Sequence, residues 1–163
     1  DEQSLRELFA KLRREIPGVV LRTTLITGFP GETEEQFSEL AEFVNDIKFE
    51  RLGCFAYSAE EDTPAAEMPD QERQRRADII TSEQEIRMGE YYAGMVGNTY
   101  EVVCEGFDRY SDMYFGRSMH FAPEIDGMIY FTSAKDKDSL TIGDFVNVKI
   151  TDVLENNLLG ERV

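Results

Sequence analysis

The chain has no tryptophan, one histidine and two cysteines among its 163 residues. It also lacks any apolar run near the roughly 18 residues that a transmembrane helix requires, and any charged-then-apolar leader of the kind that directs secretion. Cys54 and Cys104 are too far apart for a disulfide framework or a zinc site. Both fall in apolar strand patterns, where a thiol usually acts as a small buried hydrophobe. We therefore expect a cytoplasmic protein without a membrane partner or a bound metal ion.

Basic residues are scarce: there are 17 of them against 33 acidic residues, which gives a net charge of -16. The excess is shared, with 11 basic and 21 acidic residues before Gly97 and 6 and 12 after it. Nucleic-acid binders draw much of their affinity from neutralising phosphates, so we expect no nucleic-acid partner. The charge favours a basic protein partner, although acidic residues that serve only solubility are an alternative explanation.

The first half of the chain has the pattern of alternating helices and strands. Apolar spacing predicts helices from Ser4 to Ile16 and from Thr33 to about Lys48, with strands at residues 19–29 and 51–57. Thr33 and Gln36 have the spacing of a capping box. The order helix, strand, helix, strand is typical of βα units, and the strands are apolar enough for a parallel sheet that is covered on both faces.

A polar loop and a long helix follow. The loop, residues 58–70, contains consecutive carboxylates at Glu60, Glu61 and Asp62. We interpret it as a solvated loop rather than a metal site, because adjacent carboxylates rarely converge on one ion. The helix is predicted over residues 71–96 and ends at Gly97.

After Gly97 the apolar pattern changes from helical spacing to alternation. It predicts five short strands, at residues 99–105, 113–118, 128–132, 145–151 and 158–163. Asp126-Gly127 indicates a tight hairpin turn, and Gly143-Asp144 a further turn. Short strands of this number predict a small, partly open, OB-like barrel. We therefore expect two domains, residues 1–96 and 97–163.

One stretch, Leu25–Thr33, joins an apolar strand to a capped helix through a Gly-Pro-Gly turn. Ligands of α/β proteins bind at the carboxyl ends of parallel strands, where a helix N-terminus presents backbone N–H groups. The turn lacks the Gly-Lys-Ser/Thr ending of a phosphate-binding loop, and a tight turn without a ligand explains it equally well. At the end of the second strand, the aromatic pair in Phe55-Ala56-Tyr57 suits a flat ring, although core packing is the commoner use of such residues.

The residues from Leu21 to Glu35, which contain GFPGETEE, closely resemble the radical S-adenosylmethionine methylthiotransferases. Phe55–Ser58 and Thr63–Ala65 match the next strand and loop of that family, and the part after Gly97 resembles its TRAM domain. The resemblance covers nearly the whole chain. It implies an α/β fold, the C-terminal part of a partial TIM-type βα barrel, followed by a small all-β, OB-like TRAM barrel.

Two branches of this family differ in substrate. Gly116-Arg117 followed by Ala122–Gly127 resembles the branch that methylthiolates the β-carbon of an aspartate in ribosomal protein S-twelve. The other branch, of the MiaB type, modifies N6-isopentenyladenosine in tRNA. The acidic charge after Gly97 agrees with the first branch, because ribosomal proteins are strongly basic and tRNA would be repelled. The tRNA branch and a stand-alone protein-binding module remain the alternatives.

The resemblance implies that the full-length enzyme uses S-adenosylmethionine and two 4Fe-4S clusters, one of them held by a Cys-x3-Cys-x2-Cys motif. Reduction of S-adenosylmethionine gives a radical that abstracts hydrogen from the target carbon. This chain has no such motif, and Cys54 and Cys104 match no ligand position. His120 lacks the nucleophile and orienting partner of a triad, which favours a structural role. We therefore expect no catalytic residue, no bound cofactor and no transferase activity from this polypeptide alone.

The same resemblance assigns candidate binding residues. Those for S-adenosylmethionine are Ile26, Gly28, Phe55, Ala56 and Tyr57. For contact with the ribosomal protein, our own candidates are Arg117, Glu124 and Asp126. The first predicted strand, residues 19–29, would lack the neighbour that it has in a whole barrel. Because an exposed apolar edge invites pairing, we also expect a homodimer through that edge.

Overall fold

The computed structural model describes residues 1–58, 68–133 and 139–163. The chain divides into two compact units, Asp1–Gly89 and Glu90–Val163. The predicted acidic loop at Glu60–Asp62 and the family match at Thr63–Ala65 lie outside the described residues. No helix in the described ranges combines the length and the apolar character that crossing a membrane requires.

The first unit contains helices and two parallel strands, in the order that the sequence predicts. They are α1 (Glu2–Glu15), β1 (Arg22–Thr27), α2 (Glu34–Ile47), β2 (Arg51–Ala56) and the start of α3 (Asp70–Met95). The two strands are in register from Arg22 opposite Arg51 to Thr27 opposite Ala56. The predicted capping box is confirmed: Gln36 N donates to Thr33 Oγ1 at 3.2 Å, and Thr33 N donates to Gln36 Oε1 at 3.0 Å. These two bonds satisfy backbone N–H groups that have no partner in the first turn of a helix.

One hydrophobic cluster of the first unit packs against the face of the two-stranded sheet that carries Leu52. Its buried centre is Leu21, Ile47 and Phe49, and the side chains packed around them are Phe9, Leu12, Val19, Phe43 and Leu52. On the opposite face, Ile26 is 57% and Phe55 63% exposed. The prediction that both faces are covered is therefore wrong for the part of the chain that the structure describes. The reason is that α1 and α2 contribute their apolar side chains to the same cluster.

In the described residues of the second unit, five strands close into a barrel. They are β3 (Thr99–Asp108), β4 (Met113–Arg117), β5 (Ile129–Thr132), β6 (Phe145–Leu154) and β7 (Asn157–Arg162). Their order is β3-β4-β5-β7-β6, and β6 pairs back onto β3. The five predicted strands are confirmed, but the barrel is closed rather than partly open. Closure follows from five consecutive pairs between β3 and β6, from Thr99–Lys149 to Val103–Phe145.

The hairpin predicted at Asp126-Gly127 is wrong. β4 and β5 are joined by the whole stretch 118–128, and Gly127 does not have the positive φ that a type I′ turn requires. Asp126 instead folds this connection, because its Oδ2 accepts a hydrogen bond from Ala122 N at 2.7 Å. Gly127 allows the backbone to pass close to Asn156, because a Cβ at this position would lie 1.6 Å from the carbonyl oxygen of Asn156. The turn predicted at Gly143 is confirmed, with φ +97°.

Replacement of Gly116 tests how closely the barrel strands approach. An added Cβ would lie 2.0 Å from the carbonyl oxygen of Val103 in the paired strand. We expect Gly116→Ala to lower the free energy of unfolding of the barrel by about 1–3 kcal/mol, the usual cost of overpacking. Gly94→Ala in α3 is the control, since its Cβ would meet nothing within 4 Å and alanine favours a helix by up to ~1 kcal/mol. Native-state amide hydrogen exchange measures the stability of the barrel in both variants. Equal protection of the β3 amides in the two variants would contradict the close approach of Gly116 to Val103.

Candidate functional site

The first candidate site lies where β1 and β2 end side by side. Tyr57 N donates to the Thr27 carbonyl at 2.8 Å, which extends the parallel pairing beyond both strands. Ile26 and Phe55 are direct cross-strand partners, and both side chains are exposed on the open face of the sheet. The rings of Phe29 and Tyr57 meet edge to face, with centroids 5.1 Å apart. The strand ends therefore present an apolar and aromatic wall.

Four of the five residues predicted to bind S-adenosylmethionine lie together at this edge: Ile26, Gly28, Phe55 and Tyr57. Ala56 pairs with Thr27, and alternation along the strand directs its side chain to the opposite face from Phe55. Ala56 and Tyr57 line a cavity of about 380 Å³, together with Ser58, Asp70, Arg73 and Gln74. An exposed apolar pair beside a polar cavity suits a flat heterocycle that carries a polar substituent. The binding roles of these residues stay predictions.

The turn after β1 is folded back onto itself by Glu32. Gly28 N donates to both carboxylate oxygens of Glu32, at 3.1 and 3.2 Å. Glu32 N donates to the carbonyl of Phe29 at 2.9 Å. Gly28 has φ +74°, and a Cβ at that position would lie 2.5 Å from Cγ of Arg73. A glycine is therefore required both by the backbone conformation and by the close approach of α3.

Arg76 of α3 connects that helix to the turn. Its side chain is only 5% exposed, and that of its partner Glu32 13%. Its hydrogen bonds are Nη1 to Glu32 Oε1 at 2.6 Å and to the Thr33 carbonyl at 3.2 Å, Nη2 to Glu34 Oε2 at 3.0 Å, and Nε to Glu72 Oε1 at 3.0 Å. The guanidinium also lies over the ring of Phe37, 5.1 Å from its centroid. A buried cation with this many oxygen partners is fully matched in charge and in hydrogen bonds.

Sequence reasoning missed both Arg76 and Glu32 as parts of the site. Arg76 lies 44 positions from Glu32 along the chain, so no local spacing pairs them. The same network shifts a neighbouring carboxylate: hydrogen bonds from Arg75 and then Arg76 lower the pKa of Glu72 from its ordinary 4.5 to about 2. Glu72 is therefore ionised at neutral pH and contributes a full negative charge opposite Arg76.

The two cysteines are both free thiols. Cys54 of β2 is half-buried, with Sγ 3.9 Å from Thr27 Oγ1, and Cys104 of β3 is buried. Burial raises the pKa of each thiol, and the negative charges of Glu32 and Asp144 act in the same direction. The protonated form is therefore favoured, whereas the thiolate is the form that ligates metals. Among the residues with described positions, no group of three His, Cys, Asp or Glu side chains converges to hold a metal ion.

The second candidate site is a cavity of about 390 Å³ on the barrel, which we call the Phe145 groove. It is lined by Thr99, Tyr100, Glu101, Val103, Arg117, Ser118, Met119, His120, Phe121 and Phe145. Arg117 forms an ion pair with Glu105 on the adjacent strand. His120 contacts Ser118 Oγ through Nδ1 at 3.3 Å, and its ring meets that of Tyr100 edge to face.

The three residues predicted to contact the ribosomal protein are distributed over this unit. Arg117 lines the Phe145 groove, whereas Glu124 and Asp126 do not. Glu124 has φ +62° within the connection between β4 and β5, and the carboxylate of Asp126 binds the backbone of Ala122 there. The structure therefore gives Asp126 a folding role in this connection. Contact of all three with a partner stays a prediction.

Arg76→Gln should weaken the first unit and loosen its turn. Glutamine keeps one donor but removes the charge, so the buried carboxylate of Glu32 loses its partner. We expect a loss of about 3 kcal/mol in the free energy of unfolding and faster amide exchange at Gly28. Arg75→Gln is the matched control, because Arg75 also binds Glu72 but its side chain is 48% exposed, and its effect should be much smaller. Equal effects of the two variants on Gly28 exchange would show that the buried pair does not hold the turn.

Comparison with known proteins finds relatives that align with both units of the chain. Residues 96–163 match the TRAM domain family. The ribosomal protein uS12 methylthiotransferase RimO of Desulforamulus reducens is 49% identical over 98% of this chain and 36% of its own length. The proteins of the same name from Clostridium botulinum and Trichlorobacter lovleyi are 46% and 44% identical, over 98% and 99% of this chain and again 36% of their own length. Over nearly its whole length the chain is therefore similar to 36% of the length of RimO proteins, and its residues 96–163 match the TRAM domain family.

Proposed function

We propose that this chain is part of a methylthiotransferase that modifies ribosomal protein uS12. This is the protein called S-twelve in the sequence analysis. The observation that carries the proposal is the 49% identity to a RimO protein over 98% of the chain. Because the chain spans only 36% of the length of these relatives, the proposal concerns what its own residues contribute. Those contributions are a wall of the S-adenosylmethionine site in the first unit and a protein-binding surface in the TRAM barrel.

The exposed pair of Ile26 and Phe55 supports the first contribution. Two neighbouring apolar side chains at the carboxyl ends of parallel strands fit one face of an adenine ring. Gly28 and Tyr57 flank this pair, and Ala56 contributes to the adjoining cavity. S-adenosylmethionine supplies radical chemistry when bound in such enzymes; these residues would bind and orient it. We also propose that β1 and β2 belong to a partial TIM-type barrel, within a domain of residues 1–96 that precedes the TRAM domain.

The residues of this chain do not fit an iron–sulfur cluster. Such clusters are held by several closely spaced thiolates. The only cysteines, Cys54 and Cys104, lie in different units and keep raised pKa values. We therefore assign no cluster ligand and no reaction step to these residues, and we propose that this polypeptide alone does not transfer a methylthio group.

The charge of the TRAM domain supports the second contribution. The domain has 6 basic and 12 acidic residues after Gly97, so a basic protein is attracted and tRNA repelled. Arg117, Glu124 and Asp126 remain our candidates for the contact. A cytoplasmic location agrees with a ribosomal substrate. The homodimer also remains a proposal: among the described strands β1 pairs only with β2, which leaves its other edge open to a second copy.

The chain should bind purified uS12 more tightly than it binds tRNA. Isothermal titration with uS12, with tRNA and with an unrelated protein of equal positive charge separates specific recognition from charge alone. We expect uS12 to bind at least tenfold more tightly than the charge-matched protein, and tRNA not to bind at moderate salt. Binding to tRNA that falls steeply with salt would instead favour the tRNA-modifying branch.

Anaerobic reconstitution with iron and sulfide should leave the isolated chain without a stable cluster. The expected visible spectrum equals that of a Cys54→Ser, Cys104→Ser double variant treated in the same way. The reason is that two distant, protonated thiols cannot supply the ligand set that a cluster requires. A stable absorption band in the unmodified chain that is lost in the double variant would contradict this assignment.

A further inference from the structure

The Phe145 groove keeps two large apolar side chains in contact with water. Met119 is 85% and Phe145 67% exposed, although both line a concave part of the barrel surface. Apolar groups grouped in a depression are typical of interaction sites, whereas a single exposed side chain on a convex surface needs no explanation. Tyr110, fully exposed and outside this groove, is an example of the second kind on the same unit.

The groove also contains a carboxylate that the fold does not use. Glu101 and Val103 share a face of β3, because alternate residues of a strand point to the same side. Val103 is the direct cross-strand partner of Phe145, so Glu101 is a diagonal neighbour of that ring, within reach of a long side chain. No hydrogen bond or ion pair joins the Glu101 carboxylate to any described residue. Arg117, on the other side of Val103, is neutralised by Glu105.

These features define the chemistry of an occupant. A lysine or arginine side chain packs its aliphatic stem on apolar surface while its charge stays in water or meets an anion. A cation near an aromatic ring gains further attraction. The groove offers an apolar floor, an aromatic ring and an uncompensated carboxylate within one cross-strand neighbourhood. An anionic occupant such as a phosphate would meet Glu101 and be repelled.

We propose that the Phe145 groove binds a lysine or arginine side chain of uS12. The stem lies over Phe145 and Met119, and the cationic end pairs with Glu101. This inference rests on the proposed function, because uS12 is the basic protein that it assigns to this surface. It adds a specific contact, since none of Glu101, Met119 and Phe145 belongs to the candidates named from the sequence.

Titration of uS12 into the chain and its variants tests the proposal. Glu101→Lys should weaken binding at least tenfold, and Glu101→Gln, which keeps the size of the side chain, about threefold. Phe145→Ser should weaken it at least fivefold. The controls are Glu90→Lys, the same charge change at an exposed residue of α3 outside the groove, and Tyr110→Ala, which removes an exposed ring outside it. Both controls should bind as the unmodified chain does. Circular dichroism and the NMR spectrum of each variant establish that it is folded.

The methyl resonance of Met119 gives a second readout. It should shift when uS12 is added to the unmodified chain and stay in place with Glu101→Lys. Equal weakening by Glu101→Lys and Glu90→Lys would overturn the groove assignment and leave binding of uS12 intact, because net charge would then explain the loss. An unchanged affinity of both Glu101→Lys and Phe145→Ser would overturn it as well. Failure of the unmodified chain to bind uS12 would overturn both this inference and the proposed role of the TRAM domain.

Discussion

A buried arginine holds the turn at the carboxyl end of β1 in the first unit. The guanidinium of Arg76 binds the carboxylate of Glu32, and both oxygens of that carboxylate also accept from Gly28 N. A guanidinium has five N–H donors in a fixed planar fork, whereas an ammonium has only three, so lysine is not an equivalent replacement. The strand end, the turn and the start of α2 are therefore fixed together from a helix that lies further along the chain.

Close backbone approach is the corresponding constraint in the barrel of the second unit. A Cβ at Gly116, Gly127 or Gly160 would lie within 2.7 Å of a carbonyl oxygen of a neighbouring segment. Such positions allow five short strands to close around a core in which Val102, Phe131 and Ile150 are fully buried. Closure of β6 onto β3 then places Phe145 beside Val103. The outer groove is thus a consequence of the same pairing that completes the barrel.

Local signals predict much of this fold, because the interactions behind them are also local. The capping box of Thr33 and Gln36 acts over three residues, and the sequence shows it directly. Asp126-Gly127 misleads for the opposite reason. A dipeptide that normally makes a hairpin turn is used here for a hydrogen bond to Ala122 and for an approach to Asn156. Contacts between distant segments leave no trace in residue spacing, and the pairing of Arg76 with Glu32 is hidden in the same way.

The residues of the candidate sites also differ in whether the sequence predicts their contacts. Strand register makes Ile26 and Phe55 neighbours, and alternation separates Phe55 from Ala56, so both relations follow from the sequence once the strands are aligned. The residues around Glu101 in the Phe145 groove cannot be inferred from the sequence in this way. They depend on how β3 pairs with β4 and β6 when the barrel closes.

The chemistry of the proposed reaction sets a further limit on the role of this chain. An iron–sulfur cluster is held by several closely spaced thiolates, and Cys54 and Cys104 do not supply such a set. The residues present are suited to binding: an aromatic wall, a turn held from behind by a buried ion pair, and an acidic groove with an apolar floor. A reactive radical is productive only when the target C–H bond is held in place, so orientation contributes directly to the rate. In the proposed function, the contribution of these two surfaces is to hold S-adenosylmethionine and the protein substrate in place.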